Sequence, residues 1–197
     1  DFLKQGGTYD RNRPFFTTAS PSMDILISSN LERLLYYISG QNDEAVRNFM
    51  AQLAEGGRYT VSQEMQAALD ALFDAGSCDD AQTKDTIRRL YENEKYVCDT
   101  HTAVAVKVYE DYRARTGDTT PTVIASTASP FKFCKAVAEA LGGTVEIEDV
   151  SQLDVLSRLC GQQPPKPLAS LRGKAPRFDR VVEKEDILST TDLLAEL

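Results

Sequence analysis

Two groups of side chains could do chemistry. Ser126, Thr127 and Ser129 crowd hydroxyls into one short stretch ahead of Pro130. His101, the single histidine of the chain, sits within Asp99-Thr100-His101-Thr102. Hydroxyls between a strand and a helix can hold a ligand, because ligands in α/β proteins gather at strand carboxyl ends against helix N-termini. From spacing alone they are more often helix caps, and both roles stay open at this point. No Ser/His/Asp or Cys/His nucleophile set can be argued, since one histidine has no partner that the sequence defines.

Other stretches have the composition of sites without the context. Ser39-Gly40-Gln41-Asn42 resembles a phosphate-cradling loop in composition, but it follows a helical pattern, whereas such loops follow a strand and open a helix. It reads as a helix end and a turn. Lys132 stands between Phe131 and Phe133, as an imine-forming lysine in an apolar site would. Its place in a first helical turn suits a solvated ammonium better. Arg11 and Arg13 could bind an anion, and a flexible basic loop is the commoner reading.

The elements that would position these groups follow from periodicity. Val123-Ile124 begins a short β-branched run that suits a buried strand, and Pro130 suits the first position of a helix. Phe133, Val137 and Leu141 recur at helical spacing, and Gly142-Gly143 stops that helix. Ile25-Leu26-Ile27 reads as another short strand. Ser28, Ser29 or Asn30 can cap the next helix, whose apolar face is Leu31, Leu34, Leu35 and Ile38. Lys4 to Thr18 reads as a long loop. Residues 43–96 are acidic and helical, with turns at Gly56-Gly57 and Gly76 and a helix beginning near Asp80; their apolar stripes read as core. Asp99 or Thr100 caps a helix ending near Gly117. Thr144 to Ile147 is a candidate strand, Val150 to Leu159 a short helix, and Gln162 to Arg177 a surface linker. Arg180 to Ile187 is a candidate edge strand and Thr190 to Leu197 a terminal helix.

The whole chain narrows the classes of function. It has 197 residues, 42% of them hydrophobic, enough for a core. A formal charge of −8 and a pI near 4.8 argue against nucleic acid or an anionic membrane as partner. No apolar run is long enough to span a bilayer. Cys78, Cys98, Cys134 and Cys160 are scattered singly, which reads as free thiols in a reducing, cytoplasmic setting. One histidine rules out a histidine-rich metal centre. The sequence opens at Asp1 with no methionine, and the expectation is that the protein extends upstream.

Three blocks together carry a family resemblance. Phe15 to Leu35, including Ser20-Pro21-Ser22-Met23-Asp24, resembles a block of the threonine synthases. Asp99-Thr100-His101-Thr102-Ala103 is similar to that family's Asp-Pro-His-Thr-Ala block, with Thr100 in place of proline. Ser126-Thr127-Ala128-Ser129-Pro130-Phe131-Lys132-Phe133 resembles its late Ser-Thr-Ala-His-Pro-Ala-Lys-Phe block, with Ser129 where histidine is common. The blocks occur in the family's order over most of the chain.

The resemblance implies an α/β fold: the C-terminal part of a tryptophan-synthase-β-like, three-layer αβα domain (pyridoxal-phosphate fold type II) with a helical insertion. Residues 1–40 and 97–197 would belong to the large cofactor domain, and 41–96 to the insertion. It implies pyridoxal 5'-phosphate as cofactor and conversion of O-phospho-L-homoserine and water to L-threonine and phosphate. The Schiff-base lysine and the glycine-rich phosphate loop of the family lie upstream of the Phe15 block, so no catalytic residue is expected in this stretch. The chain alone is expected to be inactive, its partner being the missing N-terminal part. Thr127 matches the threonine whose hydroxyl meets the cofactor's pyridine nitrogen. Ser22, Met23, Asp24 and His101 match positions that line the active site. Two alternatives are a non-catalytic relative acting as an interaction module and another lyase of the same fold.

Overall fold

A computed structural model describes residues 2–146, 149–175 and 181–189. The chain opens with a 3₁₀ turn, Leu3–Gln5, and strand β1, Thr8–Asp10. A long connection carrying the 3₁₀ turn Pro21–Met23 leads to helix α1, Asn30–Ile38. Helix α2, Asp43–Gly56, is followed by strand β2, Arg58–Thr60, and helix α3, Gln63–Leu72. Helices α4, Asp80–Glu94, and α5, Thr100–Thr116, form an antiparallel pair. A 3₁₀ turn, Pro130–Phe133, runs into helix α6, Cys134–Ala140. Helices α7, Gln152–Cys160, and α8, Lys166–Ala169, follow.

Half of the described α-helices, α2 to α5, start at a side-chain cap. Asn42 accepts from Ala45 N, Ser62 from Met65 N, and Asp79 and Gln82 form a reciprocal capping box. The Ser39–Asn42 stretch is a helix end, a turn and the next cap, as its position predicts, with Gly40 and Gln41 both left-handed. Gly57 closes α2 in a left-handed conformation at φ 76°, where an added Cβ would meet the Asn12 amide at 2.4 Å.

The packing falls into two buried clusters. The first gathers Phe2, Leu35, Phe49, Leu53, Tyr59, Val61, Met65 and Leu69 around the β1–β2 pair. These strands run antiparallel with Tyr9 opposite Tyr59, and the two rings stack at 5.5 Å. The second gathers Ile87, Val97, Cys98, Ala103, Phe131, Cys134, Val137, Leu153 and Leu156 from α4 to α7. The bidentate Arg89–Glu110 pair, at 2.7 and 3.3 Å, joins α4 to α5.

Several local expectations are corrected. Lys4–Thr18 is not all loop, because Thr8–Asp10 is a strand. Ile25–Ile27 is not a buried strand: Ile25 and Ile27 are exposed, and the Tyr9 hydroxyl serves the backbone in place of a ladder, donating to Leu26 O and accepting from Ser28 N. Val123–Ile124 forms no strand, and Val123 is 96% exposed, since no neighbouring strand among the described residues runs beside it. Ser29 occupies the cap position of α1 with helical dihedrals and no capping bond from its hydroxyl. Residues 144–146 form no strand, Lys166–Ala169 interrupts the expected linker with a helical turn, and Lys184–Asp186 is a 3₁₀ turn and not a strand. The expected terminal helix at 190–197 lies outside the described residues.

Candidate functional site

The N-terminus of α5 organises the site. Asp99 is fully buried and caps the helix, accepting from His101 N at 2.9 Å and Thr102 N at 3.3 Å, while the Thr102 hydroxyl donates to its second oxygen. A carboxylate suits this place, because the first amides of a helix point at it and the helix dipole favours negative charge there. Asp99 also fixes the start of the His101 side chain. The His101 ring has Nδ1 at 3.2 Å from the Thr100 hydroxyl, and it packs on Phe133 with centroids 4.8 Å apart. Its Nε2 is buried with no hydrogen-bond partner among the described residues. The family-like Asp99 and Ser126 blocks are therefore joined through His101 and Phe133.

A second link fixes the hydroxyl-rich stretch. Ser126 Oγ accepts from the Tyr96 hydroxyl at 3.1 Å and donates to the Thr102 hydroxyl at 3.2 Å, whose own proton goes to Asp99. Ser129 accepts from Phe131 N at 3.3 Å and caps the Pro130 turn, so capping belongs to Ser129 and not to Thr127. Phe131, Cys134 and Val137 drive that segment into the second core. Thr127 lies between these two fixed points. It is exposed, and its hydroxyl has no partner among the described residues. Lys132 is exposed too, as a solvated first-turn residue should be.

The third block approaches from the other side. Thr17, Thr18, Ala19 and Pro21 face Phe133 and Lys135 across a cleft of about 550 Å³. Ala19 N donates to Asp80 at 3.0 Å, which ties this loop to the start of α4. Asp24 is committed within its own loop, accepting from Thr18 N and from the Thr18 hydroxyl, both at 2.8 Å. Ser22 and Met23 are exposed, and no hydrogen bond joins either to Thr127 among the described residues. Arg11 and Arg13 donate to the carbonyls of Ala54 and Ile25, so both brace loops. The Tyr96–Ser126–Thr102 network escapes sequence reasoning, because Tyr96 and Ser126 stand 30 residues apart with no shared pattern.

The thiols near the site are poor nucleophiles. Burial, with the Asp99 charge beside it, pushes the Cys98 thiol up to about 12, and burial raises Cys134 to about 11. Among the described residues no group of three or more His, Cys, Asp or Glu could hold a metal, and no helix is long and apolar enough to cross a membrane.

Residues 102–190 match the family described as threonine synthase, C-terminal. Threonine synthase of Saccharomyces cerevisiae is 36% identical over 156 residues, covering 72% of this chain and 30% of that protein. The crystal structure of threonine synthase from yeast superposes with a TM-score of 0.79 at 30% identity, over 99% of this chain and 39% of the other. The structure of a PLP-bound threonine synthase from Brucella melitensis gives 0.66 at 36% identity, over 79% of this chain and 32% of that one. These neighbours define the class: α/β, of the tryptophan-synthase-β-like arrangement called pyridoxal-phosphate fold type II, here rich in helix with a small sheet. The chain matches the C-terminal part of threonine synthases in sequence and in fold. It spans about a third of the length of the relatives it matches, between 30% and 39% of the two yeast comparisons.

Proposed function

We propose that this chain forms the C-terminal part of a threonine synthase that converts O-phospho-L-homoserine and water to L-threonine and phosphate, with pyridoxal 5'-phosphate as cofactor. The cofactor would supply an electron sink to the reaction, and the residues here would orient it. In this reading 1–40 and 97–197 belong to the large cofactor domain and 41–96 is a helical insertion in it.

One observation carries the reading. Thr127 is exposed with no hydrogen-bond partner for its hydroxyl among the described residues, and it stands between a doubly bonded Ser126 and a capping Ser129. It stands at the position that resembles the family's cofactor-contacting threonine. The chemistry fits the group: a neutral hydroxyl can donate to a pyridine nitrogen without forcing a proton onto it. Asp99, His101 and Thr102 would hold the wall behind it. Thr102, held by Asp99, bonds Ser126, the residue next to Thr127. Ser22, Met23 and Asp24 would line the far side of the Thr17–Pro21 loop.

The test is a fusion in which this chain replaces the matching part of the yeast enzyme. Phosphate release from O-phospho-L-homoserine is the expected result. A folded fusion that binds pyridoxal 5'-phosphate but releases no phosphate would sink the assigned reaction.

A further inference from the structure

Three hydroxyls beside Thr127 have their protons assigned by one buried charge. The Asp99 carboxylate is fully buried and can only accept, and it takes His101 N, Thr102 N and the Thr102 hydroxyl. A hydroxyl has one proton, so in the Thr102–Ser126 contact at 3.2 Å the serine donates. The serine proton is then committed, so in the Tyr96–Ser126 contact at 3.1 Å the tyrosine donates. Tyr96, Ser126 and Thr102 thus form a row in which each O–H donates one step nearer to Asp99. In such a row each bond polarises the next.

Neither outer member of the row serves the core. Tyr96 is 46% exposed and belongs to neither buried cluster, and Ser126 is exposed. Neither caps a helix, since Asp99 caps α5 and Ser129 caps the Pro130 turn. The backbone of 121–128 makes no backbone hydrogen bond among the described residues. The hydrogen bonds that tie this stretch to α5 and its lead-in, among the described residues, both meet at Ser126 Oγ, one residue before Thr127.

We propose that Ser126 and Tyr96 are positioning residues for the cofactor, a role that rests on the proposed function. Ser126, locked from both sides, fixes the backbone at 126–127 and with it the Thr127 hydroxyl. Tyr96 acts through Ser126. A turn without these two bonds would have to be ordered when the cofactor enters, and that ordering weakens binding.

The experiment is an absorbance titration of pyridoxal 5'-phosphate into the yeast fusion described above. The fusion carries Tyr96→Phe, Ser126→Ala, Ser126→Thr and Thr127→Val, singly and in pairs. Tyr96→Phe removes one donor and should weaken the Kd about threefold, and Ser126→Ala breaks both contacts and should weaken it about tenfold, as one and two neutral hydrogen bonds convert. Ser126→Thr keeps the hydroxyl and should restore the unmodified Kd. Tyr96→Phe should have no further effect in the Ser126→Ala background, and neither should have one beside Thr127→Val, because all act through one group. A second readout needs no cofactor. In the free chain, the NMR order parameter of the Thr127 amide should fall below about 0.6 in Ser126→Ala, while the thermal midpoint stays unchanged, as at other exposed sites.

Additive losses in the double variants, or a Thr127 order parameter that does not move, overturn the proposal. An unchanged Kd in Ser126→Ala, in a fusion that releases phosphate and loses affinity on Thr127→Val, overturns it and leaves the proposed function standing. The expected Kd pattern without phosphate release removes the assigned reaction and leaves the positioning role. A folded fusion that binds no cofactor, or an unchanged Kd in Thr127→Val, removes the cofactor contact and the positioning role with it.

Discussion

Thr127→Val separates a ligand-holding hydroxyl from a structural one. Valine keeps the β-branching and nearly the volume, and removes only the O–H group. In the chain alone, Thr127 is exposed and bonded to nothing described, and the capping bond at the next helix start belongs to Ser129. The expected loss of stability is therefore within about 0.5 kcal/mol, the range of ordinary surface substitutions. Ser129→Ala is the matched control, and it should cost about 1 kcal/mol because it removes a cap. In the yeast fusion the same Thr127→Val would leave a covered pyridine nitrogen without its partner. Losing one side of a buried hydrogen bond costs about 1–3 kcal/mol, which is roughly a 5- to 150-fold weaker cofactor Kd. Cofactor titration by absorbance and thermal unfolding by circular dichroism, on the same preparations, give the two numbers. Unchanged cofactor affinity together with a lowered melting temperature would refute the assignment of Thr127.

Three further outcomes test the architecture. Asp99→Ala strips the cap of α5 from a fully buried site and leaves two amides and the Thr102 hydroxyl unserved, so urea unfolding should show a loss of about 2–3 kcal/mol. Leu69→Ala and Leu156→Ala each empty a fully buried position, in different clusters, and each should cost about 2–5 kcal/mol. Their effects should add in the double variant to within about 0.5 kcal/mol; a larger coupling would mean that the two clusters are one. For the thiols, raised values mean protonation until high pH: Cys98, near 12, and Cys134, near 11, should resist alkylation at pH 8 and react only as the pH passes about 11. Rapid labelling of Cys98 at pH 8, measured by mass spectrometry of the native protein, would contradict its burial.

The longer helices were legible because they carry their signals within one turn. Asp99 before Thr100-His101-Thr102, Asp79 three residues before Gln82, and Gly117 after Arg115 mark starts and ends that the structure reproduces. Strands were not, because a strand is defined by its neighbour. Ile25–Ile27 and Val123–Ile124 have strand composition, but the first is served by a tyrosine hydroxyl and the second by nothing described. Thr8–Asp10 and Arg58–Thr60 pair well while carrying Asp10, Arg58 and two threonines, a composition that reads as loop. At the site, the resemblance of the blocks pointed to Thr127 and His101. The bonds that hold them, from Tyr96 and Thr102 to Ser126 and from Phe133 to His101, are contacts between distant stretches that no local pattern encodes.

The division of the apolar residues between two clusters has a consequence for synthesis. Every residue of the first cluster lies between Phe2 and Leu69, and every residue of the second between Ile87 and Leu156. A ribosome emits the first set before any member of the second. The β1–β2 pair and helices α1–α3 can thus consolidate while α4 is still in the exit tunnel, as units synthesised earlier generally do. The later helices then meet an already folded surface, with Ala19 N available to receive Asp80 as α4 emerges.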